Sequence, residues 1–217
     1  MQRQLISAAL AVIVFTVLLG LAYPLAITGI SQVAFTHAAD GSQITRDGKV
    51  VGSSLTGQDF SRPVLGKDGK PQKDADGNAV TEPDPKYFQE RPSVTGYNPA
   101  GTYFANRGPN QVATRDLTRQ HLQAFLALER PYDAGLTASD VPVDAATFSA
   151  SGVDPHVSPA NAAIQAHRIA AVRHLPLARV QHLIDAHTDD RSLGFLGEPG
   201  VNVVELNLQL DQEAPVS

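Results

Sequence analysis

The hydrophobic pattern of the chain changes character once, near residue 35. From Leu5 to Phe35 no residue is charged, and Leu5 to Ile27 reads LISAALAVIVFTVLLGLAYPLAI. At about 1.5 Å per residue these 23 residues form a helix of about 34 Å, enough for a hydrocarbon core of about 30 Å. A cleaved secretory leader carries a shorter apolar run, about 7–15 residues, before small residues at its cleavage site. Here the run is longer, and the Ala38-Ala39 pair follows Thr36 and His37. The pattern predicts an uncleaved transmembrane anchor over residues 1–35 and a soluble domain over 36–217. Pro24 lacks a backbone donor and is expected to bend or end the helix, and Tyr23 suits a membrane interface.

Beyond the anchor the pattern breaks into short elements. Ile44-Thr45-Arg46 and Lys49-Val50-Val51 flank Asp47-Gly48, a strong hairpin signal because both central residues tolerate positive φ. Residues 64–86 are rich in Gly, Pro, Asp and Lys and predict a solvated, mobile insertion. Asp74, Asp76 and Asn78 alternate as in a calcium loop, but that motif's glycine and closing glutamate are absent. Residues 87–110 predict a long loop pinned by Tyr87, Phe88, Tyr97, Tyr103 and Phe104. Leu117, His121, Ala124, Phe125 and Leu128 recur at three- and four-residue steps, which predicts a helix over 116–127 stopped by Pro131. Residues 140–149 are short and β-prone. Ser158 is a good N-cap and Pro159 a good first helical residue, so a helix is expected from 159 to about 174. Pro176 opens another, to about 187. Val204, Leu206, Leu208 and Leu210 alternate with polar residues, which predicts a half-buried closing strand with a bulge near Val203. Hairpin, helices and strand together predict an α+β domain.

Charge and composition narrow the function. All 22 acidic residues follow residue 39, Arg3 alone of the 17 basic ones precedes it, and the net charge is −5. A mildly acidic domain lacks the dense basic patch of a nucleic-acid surface or of an anionic-lipid adsorber. With no cysteine, disulfides, thiolate metal sites and cysteine nucleophiles are excluded. Arg3 and the amino terminus favour a cytoplasmic amino terminus and an extracytoplasmic domain.

The candidate chemistry is sparse. His167 and His174 could share a helix face, and His182 and His187 align less well, but no His-Glu-x-x-His run exists. Asp154, His156 and Ser158 supply the residue types of a hydrolase triad, which is defined by geometry rather than by proximity in sequence. A Gly-x-Ser-x-Gly elbow, a P-loop, a phosphorylated Asp-Lys-Thr-Gly-Thr loop and a Thr-Val-Gly-Tyr-Gly filter are all absent.

Five segments in one order resemble one family along the whole chain. They are the uncharged span ending Gly20-Leu21-Ala22-Tyr23-Pro24, residues 52–60 (GSSLTGQDF), 87–93 (YFQERPS), 150–159 (ASGVDPHVSP), and His187-Thr188 followed by 193–203 (LGFLGEPGVNV). Together they resemble the C subunit of the bacterial Kdp-type potassium-transporting ATPase. The chain departs from that family in the length of 64–86, in residues 101–107, and in Gly200, where a basic residue is usual. The resemblance implies an accessory, non-catalytic subunit of a complex that imports potassium when it is scarce. It also implies partners: a channel-like subunit that selects the ion and a P-type subunit that hydrolyses ATP. ATP and potassium are then handled by the partners, and the chain has no cofactor of its own. A proposal for the family is a catalytic chaperone that raises the ATP affinity of the pump subunit. With the domain outside the cytoplasm, clamping the channel-like subunit near the ion entrance fits better. Within this reading the span packs through Ala8, Ala11, Gly20, Ala22 and Ala26, and Gln58, Arg91, Asp154 and His156 are candidate partner contacts. The rival readings are an anchored scaffold of another complex and a stand-alone anchored hydrolase.

Overall fold

In the computed structural model, residues 1–101, 106–108 and 110–215 are described. Tyr103 and Phe104, expected to pin the long loop, lie outside them. The chain divides into two compact units, Met1–Ser53 and Ser54–Ser217.

The first unit opens with a continuous helical run, Gln2–Ala34, of 33 residues, long and apolar enough to cross a membrane. It comprises α1 (Gln2–Val17), a π-helical turn at Leu18–Ala22, and α2 (Tyr23–Ala34). The helix does not end at Pro24. A proline ring collides with the carbonyl four residues back and leaves it without a donor. The wider π turn, in which the Tyr23 N–H donates to Leu18 O, absorbs the misfit just before the proline. A short α3 (Thr36–Ala39) follows. The hairpin is then as its sequence predicts: β1 (Gln43–Arg46) pairs antiparallel with β2 (Lys49–Ser53). Asp47 and Gly48 at the turn have φ of 51° and 74°, the mirror-image conformation that matches strand twist.

The second unit is helix-rich. β3 (Ser61–Pro63) pairs with β4 (Thr81–Pro83), so the base of the 64–86 stretch is closed. Within it Val64 N–H donates to Val80 O, Val80 N–H to Gln72 O and Gln72 N–H to Val64 O, and Leu65 bridges Pro71. Asp74 accepts the N–H groups of Asp76 (3.0 Å) and Asn78 (2.9 Å) and so closes its own turn. The helix expected over 116–127 runs longer, as α4 (Val112–Glu129). Residues 140–149 are not β structure. They form turns around a 3-10 turn at Val143–Ala145, because Pro142 offers no ladder donor and the Asp144 carboxylate is held elsewhere, as described below.

Ser158 caps α5 (Pro159–Arg173) as predicted, its Oγ accepting the Asn161 N–H at 3.1 Å. His174 ends the helix in the left-handed conformation, and α6 (Leu177–Ala186) follows. The closing strand is a correction. Only β7 (Gly200–Asn202) is extended; Val203–Glu213 is a helix, α7. Asn202 is its N-cap, accepting the Glu205 N–H at 3.2 Å, and the supposed bulge near Val203 is the junction between strand and helix. Val203, Leu206, Asn207 and Leu210 are buried at three- and four-residue steps. The polar Asn207 hides that period in the sequence, leaving the period-two alternation to dominate. Helices and strands together make the domain α+β.

β5 (His156–Val157), β7 and β6 (Thr188–Asp189) form an antiparallel sheet in the order β5-β7-β6. The core gathers where α5, α6 and α7 meet it, around Ile169, Val180, Leu183, Val201 and Leu206. Against this core runs the irregular segment 84–91, a turn at 84–87 followed by residues outside any helix or strand. Buried backbone without a ladder must find other partners. Here two side-chain amides supply them: Asn207 accepts from Phe88 N–H (2.9 Å) and donates to Phe88 O (3.0 Å), and Gln165 does the same for Gln89 (2.7 and 2.9 Å). Arg168, fully buried, donates to Glu129 at 2.9 and 3.1 Å and to the carbonyls of Pro85 and Tyr87. Phe88 is fully buried, and Tyr87 lies between the Phe60 ring (centroids 5.5 Å apart) and the Arg173 guanidinium. These aromatic anchors are legible in the sequence.

Candidate functional site

Four of the segments quoted above converge in the second unit. Gly57 N–H of the first donates to Val153 O (2.8 Å). Ser93, at the end of the second, and Thr95, two residues beyond it, donate from their hydroxyls to Gly152 O at 2.6 and 3.0 Å. Asn202 of the last donates to Ser54 O (2.9 Å), and β7, also of the last, pairs with His156 and Val157. Gly152 has φ 76°, and a Cβ there would stand 2.9 Å from Thr95 Oγ1, so both backbone shape and close approach require glycine.

The second, third and last of these segments contribute to an open hollow of about 680 Å³ whose lining includes Arg91, Asp144, Asp154, His156, Asp189, Glu198 and Gly200. At its centre Asp154 Oδ1 accepts the backbone N–H of His156 at 3.0 Å, a turn rigidified by Pro155. His156 Nδ1 faces the same oxygen at 3.4 Å. Its Nε2 lies 3.2 Å from Asp189 Oδ2, on the far side of the sheet's middle strand. The ring crosses that strand over Gly200, where a Cβ would come within 3.3 Å of the His156 Cβ and 3.4 Å of its Cδ2. The absence of a side chain at 200 therefore leaves room for the bridge from β5 to β6. The hydrogen bond to Asp154 raises the His156 pKa; burial opposes, and Asp189 adds to the rise. Burial pushes Asp154 up, but the hydrogen bonds from His156 and the charges of His156 and Arg91 outweigh it and hold the carboxyl below its ordinary range.

Arg91 approaches Asp154 Oδ2 at 3.6 Å and donates to Phe148 O at 2.8 Å. Its carbonyl accepts from the Tyr97 hydroxyl. Three of the four candidate residues, Arg91, Asp154 and His156, thus share one hollow. Gln58 stands apart from it: its backbone N–H donates to Glu90 Oε1 at 3.1 Å, one residue from Arg91.

The geometry is not that of a triad. The ring nitrogen of His156 that would face a nucleophile faces Asp189 instead. Ser158 Oγ donates to Asp144 Oδ1 (2.9 Å), and Asp144 Oδ2 also accepts from Ser158 N–H and Asn161 Nδ2. The Ser158 hydroxyl therefore belongs to a helix entry. Among the described residues no group of three His, Asp or Glu side chains is arranged to hold a metal ion.

Several residues of this region went unremarked in the sequence reading. Glu90 sits inside the second segment but has no charged spacing partner in sequence. Asp189 follows His187-Thr188 closely, yet only the sheet order brings it to His156. Asp144 lies 14 residues from Ser158, beyond any local pattern.

A helix long and apolar enough to span a membrane, followed by an α+β domain in which the quoted segments come together, fits the class of membrane-anchored proteins. The family described as "K+-transporting ATPase, c chain" matches residues 5–212, and the chain belongs to that family. A protein of Polaromonas naphthalenivorans named "Potassium-transporting ATPase KdpC subunit" is 43% identical over 100% of this chain and 98% of its own length. Proteins with the same name from Streptomyces avermitilis (41% identical, 97% of this chain and 94% of its own length) and Geobacter sulfurreducens (42%, 98% and 100%) match to the same extent.

Proposed function

We propose that this chain is the accessory, non-catalytic subunit of a high-affinity, ATP-driven potassium import complex of the bacterial inner membrane. The observation that carries this reading is the match to the family over residues 5–212, joined to the contacts that bring four of the resembling segments together. The helical run Gln2–Ala34 anchors the chain with its amino terminus in the cytoplasm, and the α+β domain lies outside. Arg3 on the short side supports that orientation. The partners are a channel-like subunit that selects potassium and a P-type subunit that hydrolyses ATP; both ions and nucleotide are theirs to handle. An outer domain acts by clamping the channel-like subunit, and Gln58, Arg91, Asp154 and His156 supply or brace the contact. The bridged imidazole, with Asp189 where a nucleophile would stand, supports a binding role over hydrolysis.

Growth on limiting potassium tests this. A strain lacking the chain is expected to fail to grow there and to recover with the wild-type chain, whereas Arg91→Ala and Asp154→Ala restore growth poorly. Full recovery with both variants would contradict the role given to these residues. Growth without the chain would contradict the function itself.

A further inference from the structure

The second unit carries one apolar projection that its own core does not use. Between β6 and β7 the chain forms a tight loop in which Leu193, Phe195 and Leu196 are 83%, 68% and 50% exposed. The loop is not loose. Ser192 and Leu196 exchange both backbone hydrogen bonds at 2.9 Å, Gly194 N–H donates to Arg191 O, and Phe195 N–H donates to Ser192 O. Leu193 is held at φ 54°, beside Gly194 at 80° and Gly197 at 84°. The left-handed conformation costs a residue with a Cβ roughly 1–2 kcal/mol, and here that cost holds a leucine out toward solvent. Three large apolar side chains on a self-braced turn form a pre-organised anchor of the kind that dominates interfaces.

The surrounding charges select the occupant. Asp189, Asp190 and Glu198 ring the base of the loop; among the described residues the cationic groups facing them are Arg191, paired with Glu198 at 2.5 Å, and His156, 3.2 Å from Asp189 Oδ2, so the rim stays net negative. An anionic bilayer surface would meet this rim with like charge. A second copy of the chain docking loop to loop would bring two acidic rims together. We infer that the loop 192–197 is a docking finger that inserts its leucine and phenylalanine side chains into an apolar hollow, rimmed by lysine or arginine, on a protein subunit of the same complex. This rests on the reading of the chain as an accessory subunit and specifies where it grips.

The test places the photo-crosslinker p-benzoylphenylalanine at Phe195 of the full-length chain, and at the exposed Leu65, outside the hollow, as a control, in cells that assemble the complex. After illumination the complex is purified and its adducts identified by mass spectrometry. The inference predicts an adduct from position 195 to a co-purifying channel-like or P-type subunit, and none from position 65. It also predicts that Leu193→Ser with Phe195→Ser weakens association of the folded chain about ten-fold or more, the scale of losing an interface anchor. An intact complex whose position 195 yields no adduct, or reacts only with lipid or with a second copy of the chain, would overturn the finger while leaving the accessory role standing. A chain that purifies without either subunit would overturn both.

Discussion

A Cβ atom on Gly57 would stand 1.9 Å from Oε2 of Glu90 and 2.9 Å from the Tyr97 ring. The carboxyl of Glu90 therefore occupies the space that a side chain at 57 would need, beneath the segment that carries Arg91. Its Oε1 accepts from Gln58 N–H at 3.1 Å, and Oε2 is buried with no partner among the described residues. Gly57→Ala is expected to destabilise the domain by about 1–3 kcal/mol through overpacking. Urea denaturation of the full chain in detergent, followed by circular dichroism, measures the loss. An unchanged midpoint would mean that Glu90 moves aside freely.

Burial pushes the Glu90 pKa up to about 9, against the pull of the Gln58 N–H, and Asp154 and Asp59 push it the same way. The group therefore keeps a proton in the folded state at pH values where the unfolded chain has released it. Stability accordingly falls as pH rises from the ordinary glutamate value toward the folded one, with a slope of at most about 1.4 kcal/mol per pH unit. Glu90→Gln retains the shape and removes the titration. It is expected to match the wild type near pH 4 and to be more stable near pH 8. Parallel pH profiles of the two proteins would contradict a protonated Glu90.

His156 works in the opposite sense. Its folded pKa lies above the ordinary value, so the bridge between Asp154 and Asp189 contributes fully below the unfolded pKa. That contribution is lost as pH rises through the folded pKa. His156→Ala should cost more stability at about pH 5.5 than at about pH 9, by less than about 1 kcal/mol because the site is partly open to solvent. Proton NMR of the imidazole checks the direction of the shift directly.

Arg168 and Glu129 form a buried pair in which the arginine also holds the carbonyls of segment 84–91. Arg168→Met leaves the carboxylate buried and unpaired and is expected to cost about 3–5 kcal/mol. Arg168→Met with Glu129→Met should lose less than the sum of the single changes, because no lone charge remains. Denaturation midpoints of the three variants measure that coupling; strict additivity would contradict it.

The sequence reveals elements whose signals are local. The Asp47-Gly48 turn, the Ser158-Pro159 helix entry and the uncharged span each depend on a few adjacent residues, and each forms as its residues dictate. The reading fails where a long-range partner decides. Residues 203–213 carry a strand-like alternation, but Asn207 turns inward to hold the Phe88 backbone, 119 residues away, and the segment is helical. Residues 140–149 read as β-prone, yet Asp144 is committed to the entry of α5. In the hollow, Asp154 and His156 are visible as sequence neighbours. Their partners Arg91 and Asp189 reach them only through the converging segments and the order of the sheet.

The central claim, that this chain works as the accessory subunit of a potassium import complex, is tested most directly by tagged purification in mild detergent from potassium-starved cells, with mass spectrometry and ATPase assay of the product. The account predicts that a channel-like subunit and a P-type ATPase come with it and that the preparation hydrolyses ATP in a potassium-stimulated manner. A chain that emerges alone, or with unrelated membrane proteins, would contradict it.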